Sequence, residues 1–518
     1  MKLSKQTSHG IKIMVHLADA KKSNKSLSIS ELSSLTGVTN KFLEKIVSNL
    51  KKSGLIISER GKDGGYTLNK SSEKITIGDI VKVLESSTNI SDCNSGCGVN
   101  NCPNRDIFMS LQNRIDSFFD SLTLSSIVNS YNKKQIYLDS AATTNVRPEV
   151  VTAMLPYFTE IYGNSNSLHG AGREALKGVN YAREMISKLI NATPGEIYFT
   201  SGGTEANNWA LRGVSEARVK KGKHILVSSI EHHSVLDSAK YLKLSGYDVE
   251  FLKVNEDGFI EPSEIESKMR KDTILVSVMM VNNETGAIQR IKEIGEICKK
   301  HDVYFHVDAV QALSTQKIDV NDLNIDLLSI SSHKIHGPKG VGALYIRDKV
   351  LCSKFMIGGE QEKNRRGGTT NVPAVVGFGK AAEILLNNRE ADAKKINSVS
   401  SYFIEKVKEN IDEIVVNSPS ENRAPTIANI SFKYIEGESI MLLLDFDGIC
   451  VSTGSACASG SLQKSHVLKA MGRNSELING AVRFSFDDRV TSSDVDFVVL
   501  KLKDVVARLR SMSPLYRK

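Results

Sequence analysis

Between positions 197 and 346 the apolar residues gather into short runs: "IYFT", "HILVSS", "VEFLKV", "TILVSVMMV", "VYFHVDA", "DLLSIS" and "GALYIR". In the stretches between them, apolar positions recur at helical spacing. Unbroken apolar runs of this length read as strands buried on both faces, and the intervening period as helices packed over them. The alternation predicts a mostly parallel sheet with helices on both faces, whose ligand site lies at the carboxyl ends of the strands.

The first quarter has a different pattern. Ser28 and Glu31 have the S-x-x-E spacing of a capping box, opening a helix through Leu32 and Leu35 that stops at Gly37. After a turn, Asn40 starts a second helix with apolar Phe42, Leu43, Ile46, Val47 and Leu50, and with Lys41, Lys45, Asn49, Lys51 and Lys52 on or near the other face. In "LIISERGKDGGYTL", two β-rich stretches flank the turn residues Asp63, Gly64 and Gly65, which predicts a hairpin wing. Such a winged helix-turn-helix offers Asn40, Lys41, Lys45, Lys51 and Lys52 to the major groove of DNA and a basic tip, Arg60 and Lys62, to the backbone or minor groove. The competing reading is a small helical adaptor with solvated lysines.

Charge favours the DNA reading. Residues 1–134 hold 19 Lys+Arg against 12 Asp+Glu, while the rest of the chain holds 48 against 47, so the surplus behind the net charge of +8 belongs to the first quarter. At 518 residues the chain should form several domains. With no apolar leader and no run long enough to span a bilayer, a soluble cytoplasmic protein with no membrane partner is expected. In that reducing compartment clustered thiols are more often ligands or catalysts than disulfides. Three of the seven cysteines, Cys93, Cys97 and Cys102, sit in the loop "SDCNSGCGVNNCPNR", compatible with zinc, iron–sulfur or accident.

Two clusters in the α/β stretch carry chemistry. "TSGGTEANN" (200–208) is a Gly-rich turn between a strand and a helix, suited to a phosphate but matching neither the dinucleotide fingerprint nor the Lys-bearing nucleotide loop. "SSHKIHGPKG" (331–340) places Lys334 directly after a strand, and "HVDAVQ" (306–311) ends a strand at Asp308. A lysine for a Schiff base and an acid against a pyridinium nitrogen are what pyridoxal phosphate requires. The rival Lys339, between Pro338 and Gly340, reads as a surface residue.

Two resemblances follow from ordered motifs. "MKLSKQTSHGIKIMVHLA", "KFLEKIVSNLKKSGLI", "RGKDGGYTL", "ITIGDIVKVLE" and the three-cysteine loop resemble the bacterial winged-helix regulators that include the iron–sulfur cluster regulator. The resemblance covers residues 1–128 and implies dimeric DNA binding and a [2Fe–2S] cluster on Cys93, Cys97 and Cys102. The fourth ligand does not carry over: Arg105 and Ser8 stand where relatives have a histidine or an acid, and His9, beside the second, is a candidate.

The second resemblance spans residues 136–518. "YLDSAATT", "YGNSNSLH", "SGGTEANN", "EHHSVLD", "VNNETGAIQ", "HVDAVQ", "SSHKIHGPKG", "GGEQEKNRRGGTTNV", "STGSACASG" and "AVRFSF" are similar to the cysteine desulfurases of the NifS/IscS type. It implies the fold-type-I α/β architecture of pyridoxal phosphate-dependent transferases, with a large subdomain at about 147–387, a small one from about 136–146 plus 388–518, and residues 129–135 as linker. It assigns Lys334 to the cofactor carbonyl, Asp308 to the ring nitrogen, His232 to stacking and proton transfer, and Asn283 and Gln311 to the phenolic oxygen. Gly203, Thr204, Ser331 and His333 would bind the phosphate, joined by Thr369 from a partner subunit. Arg483, with Asn283, would bind the substrate carboxylate, a task its two-donor fork suits. Cys457 would take sulfur from L-cysteine as a persulfide, leaving alanine, and could transiently ligate a cluster. Cys298, Cys352 and Cys450, in helical or strand patterns, read as structural.

The expected whole is a homodimeric regulator–desulfurase fusion that passes sulfur to an acceptor such as an iron–sulfur scaffold protein. The alternatives are a transcription factor whose cofactor domain serves as a sensor, or a related enzyme such as a selenocysteine lyase or an aminotransferase; the thiol at Cys457 argues against the last.

Overall fold

The computed structural model describes residues 4–23, 25–59, 64–85, 103–131, 135–453 and 464–516. Cys93, Cys97, Cys102, Arg60, Lys62 and Cys457 lie outside the described residues. The chain divides into two compact units, 1–134 and 135–518. Among the described residues no helix is long and apolar enough to cross a membrane.

The first unit runs α1 (Lys5–Lys22), α2 (Ile29–Thr36), α3 (Asn40–Lys52), β1 (Ile56–Glu59), β2 (Gly65–Leu68), α4 (Ile77–Leu84), α5 (Pro103–Ser121) and α6 (Leu124–Tyr131). The capping box that opens α2 is present in full: the Glu31 amide donates to Ser28 Oγ at 3.2 Å and the Ser28 amide to Glu31 Oε2 at 2.9 Å. Gly37 ends the helix in the left-handed region at φ 68°, a conformation open to glycine. Leu43, Ile46, Val47 and Leu50 of α3 pack with Ile13, Met14 and Leu17 of α1 in one core. β1 and β2 pair antiparallel as the wing, but Gly65 belongs to the strand, opposite Glu59, and not to the turn. The reason is local crowding. Leu27 exchanges backbone hydrogen bonds with Tyr66, and a Cβ on Gly65 would lie 2.5 Å from the Leu27 carbonyl. Helix α6 continues to Tyr131, inside the segment read as linker.

The second unit contains β3 (Ile136–Tyr137), β4 (Ile197–Thr200), β5 (His224–Ser228), β6 (Asp248–Leu252), β7 (Thr273–Ser277), β8 (Tyr304–Asp308), β9 (Leu327–Ser331) and β10 (Gly342–Ile346). Each of the last seven falls on one of the apolar runs, and they form one sheet in the order β4-β10-β9-β8-β7-β5-β6. β10 is antiparallel to both neighbours and the other pairs are parallel. A smaller antiparallel sheet follows from β11 (Ile414–Val416), β12 (Ile427–Phe432) and β14 (Ala481–Ser485), while β13 (Ile449–Cys450) pairs with β3. The helix Val372–Asn410 joins the two layers. Its first half, including Phe378, packs into the large-sheet core, and its second half, with Phe403 and Val407, into the core that also holds Ile136 and Phe484.

Candidate active site

A cavity of about 250 Å³ opens where β4, β5, β7, β8 and β9 end. Gly203, Thr204, His232, Asn283, Asp308, Gln311, Ser331, His333, Lys334 and Arg483 all line it. Thr369 is exposed and lies outside this wall. Lys334 closes the short turn after β9, and its Nζ donates to the carbonyls of Ala141 and Ala142. Gln311 Nε2 donates to the same Ala141 carbonyl at 2.8 Å. Lys339 is exposed.

Asp308 is 4 % exposed at the end of β8. Its Oδ1 accepts the Val310 amide at 3.0 Å and its Oδ2 accepts Asn207 Nδ2 at 2.7 Å. A carboxylate so placed suits the charged nitrogen of a ring. His232 is the N-cap of helix His233–Leu244, with Nδ1 accepting the Ser234 amide at 3.1 Å. Burial lowers the His232 pKa, against the pull of Asp308 and with the push of Lys334.

The phosphate end is built by helix Gly203–Ala217. Gly202 takes φ 155°, and a Cβ on Gly203 would sit 2.8 Å from Val310 Cγ2, so backbone alone fits beside the cavity. The first-turn amides have no carbonyl partner within the helix and carry the positive end of its dipole. His333 Nδ1 meets Thr143 Oγ1 at 3.1 Å, and burial, with Lys334 nearby, pushes its pKa down to about 4, which leaves a neutral imidazole able to donate. Glu205 in the same turn would oppose an anion. Burial alone would raise its carboxyl, but the Arg366 fork, at 2.8 and 3.0 Å, and the Ser201 amide outweigh burial and hold it below the usual carboxylate range. That pair also ties the loop carrying Thr369 to the start of the helix.

Arg483 is 3 % exposed on β14, and its fork is already engaged. Nη1 donates to the Asn283 carbonyl at 3.0 Å and Nη2 to Asp139 Oδ1 at 2.9 Å; Nε is buried with no partner among the described residues. A substrate carboxylate at this wall therefore competes with Asp139 for the fork. An amine, a buried acid, a glycine cradle at a helix start and an arginine with an orphaned donor fit pyridoxal phosphate and an amino acid in one cavity.

Sequence reasoning missed Asn207 and Ser234, which also line the cavity. The available signal was the helix start, since the N2 amide at Ser234 needs an acceptor and His232 supplies it. Cys298 lies in a helix, Cys450 in β13, and Cys352 outside any helix or strand. Burial raises all three thiols, Cys352 to about 12, so none is a ready nucleophile.

In the first unit Asn40, Lys41, Lys45, Lys51 and Lys52 are all exposed on or just beyond the first and last turns of α3, and Lys51 Nζ donates to Ser58 Oγ of the wing at 2.7 Å. His9 lies edge-on to Phe42 of α3 at 5.9 Å, with Nδ1 buried and unpartnered among the described residues. Among the described residues no cluster of three or more His, Cys, Asp or Glu could hold a metal ion.

Residues 136–498 match the family described as Aminotransferase class-V, and residues 3–130 match Rrf2, described as Iron-dependent Transcriptional regulator. A cysteine desulfurase IscS of Dictyoglomus turgidum is 45% identical over 382 residues, 74% of this chain and 97% of the relative. One of Methanosarcina thermophila is 48% identical, covering 74% of this chain and 95% of its own length. Among solved structures, a NifS-like protein superposes with a TM-score of 0.69 at 36% identity over 73% of this chain and all of the other. A structure titled "SspA in complex with cysteine" does so with 0.62 at 34%, over 69% of this chain and all of the other. The chain belongs to the class-V aminotransferase family, among its cysteine desulfurases, and carries an Rrf2-type regulator domain ahead of the enzyme.

Proposed function

We propose that the second unit converts L-cysteine to L-alanine and moves the sulfur through Cys457 to an acceptor such as an iron–sulfur scaffold protein. The observation that carries this is the convergence of Lys334, Asp308, His232 and Arg483 on one cavity. Pyridoxal phosphate, when bound, supplies an electron sink for the amino acid's Cα. Lys334 would hold it covalently, Asp308 would keep a proton on its ring nitrogen, and Asn283 and Gln311 would face its phenolic oxygen. The helix start at Gly203 and Thr204, with Ser331 and His333, would bind its phosphate, and Thr369 would reach the phosphate bound in a partner subunit of a homodimer. Arg483 and Asn283 orient the substrate carboxylate. The Cys457 thiolate would attack the substrate sulfur: an S–S bond forms, the Cβ–S bond breaks, and the carbon keeps the electron pair and takes up a proton to leave as alanine.

For the first unit the reading is DNA binding through α3 and the wing, with a [2Fe–2S] cluster on Cys93, Cys97 and Cys102, so that an enzyme producing cluster sulfur is joined to a cluster reader. Absorption spectra of the full chain purified without air test both parts. The expected result is a visible band of bound cofactor, lost in Lys334→Ala, and separate charge-transfer bands lost in Cys93→Ala. A spectrum unchanged by Lys334→Ala would overturn the enzyme reading, and one unchanged by Cys93→Ala the cluster.

A further inference from the structure

We infer that Asn207 and Ser234 are positioning residues that fix the proton of His232 on Nε2, through a hydrogen-bond chain running from the Asp308 carboxylate to His232 Nδ1. The inference deepens the reading of this cavity as the cofactor pocket and rests on it for its catalytic meaning. Each bond has one allowed direction. A backbone amide can only donate, so the Ser234 N–H at 3.1 Å makes His232 Nδ1 a bare acceptor. The end of Asn207 that faces Asp308 Oδ2 at 2.7 Å must be its NH₂, because the reverse orientation would set a carbonyl oxygen against a carboxylate. The second hydrogen on that nitrogen reaches Ser234 Oγ at 2.9 Å. The serine hydroxyl, having accepted there, turns its own hydrogen to His232 Nδ1 at 2.8 Å.

The arrangement is expensive, which argues that it serves function and not packing alone. Asn207 is 1 % exposed, and its Oδ1 is buried with no partner among the described residues. Both amide hydrogens go to the chain, while the oxygen receives no donor among the described residues. His232 also stands at the positive end of its helix, where an imidazolium is disfavoured. A neutral ring with two donors on Nδ1 carries its proton on the nitrogen away from Ser234. The neutral ring therefore presents an Nε2–H hydrogen-bond donor to the cavity and no free lone pair there, so the accepting role falls to the amine of Lys334.

Histidine ring ¹⁵N spectra of the full chain, with the His232 signals identified from His232→Gln, test the tautomer with and without cofactor. The expected result near neutral pH is a protonated Nε2 and an unprotonated Nδ1 in both states; the opposite tautomer, or an imidazolium, overturns the inference. Ser234→Ala keeps the backbone donor and removes the hydroxyl one. The groups that act on the ring, Asp308, Lys334, His233 and Asp237, with His466 packed beside His233, are the same in both proteins, so their difference reports Ser234. The His232 titration and the acid limb of the kcat profile should move up by about one pH unit, a tenfold change in proton affinity, and Ser234→Thr should restore both. A titration unmoved by Ser234→Ala overturns the chain. Failure of the cofactor reading shows separately, as absent visible absorption, while the tautomer is measured on the protein alone.

Discussion

Glu284 offers a test of how closely the site is packed. It is 3 % exposed, and Ser465 Oγ donates to its Oε2 at 2.5 Å. Burial raises its carboxyl from 4.5 to about 7, against the opposing pull of Ser465 and Arg483. The folded pKa lies above the unfolded one, so between those values the folded chain binds the extra proton. Stability is therefore highest below pH 4.5 as far as this group is concerned, falls as pH rises through 7, and stays reduced above it. At ~1.36 kcal/mol per pH unit the loss comes to about 3 kcal/mol at pH 8.5. Glu284→Gln keeps an oxygen for Ser465 and removes the charge, so it should recover about 3 kcal/mol at pH 8.5 and only about 0.8 kcal/mol near pH 5. Denaturant unfolding followed by Trp209, the chain's sole tryptophan and fully buried in the enzyme unit, reads this difference. A gain of equal size at both pH values, or a loss at pH 8.5, would refute the reasoning.

Lys334→Ala should abolish visible cofactor absorption and cysteine turnover while Lys339→Ala leaves both near wild type, since one amine faces the cavity and the other faces solvent. Arg366→Ala strands the Glu205 carboxylate in a buried site, so thermal unfolding should show a loss of about 3 kcal/mol, partly recovered by lysine. Lys45→Ala with Lys52→Ala should weaken binding to any duplex DNA and flatten the salt slope by about 0.9 per lost phosphate contact, read by fluorescence anisotropy across a salt series.

Much of this architecture is written in local pattern. The seven strands of the large sheet sit on the apolar runs because strands buried on both faces are lined mostly by apolar side chains, and the polar ones they carry, such as Ser277, His306 and Ser329, pair with one another. The helix α2 is bounded at both ends by residues three to six positions away, Ser28 with Glu31 and then Gly37, so a short window suffices. The chemistry at strand ends was legible for the same reason: Asp308 is the last residue of β8 and Lys334 closes the three-residue turn after β9. What was not legible depends on which strands become neighbours. Asn207 meets Asp308 across 101 positions and Arg366 meets Glu205 across 161, and no periodicity encodes either encounter. Arg483 was expected as a clamp, but that Asp139 would already occupy its fork follows from the packing of residues 344 positions apart. Gly65 was read as a turn residue because glycine usually marks one; its reason is the Leu27 backbone pressed against it.

The central claim is that this cavity takes the sulfur from L-cysteine and hands it to Cys457. The direct measurement is alanine and sulfide produced from L-cysteine, with a thiol reductant, by the full chain and by Cys457→Ser. The account predicts alanine and sulfide in equal amounts from the wild type, and loss of both in the variant while visible cofactor absorption is retained. Alanine released at the wild-type rate by Cys457→Ser would contradict it.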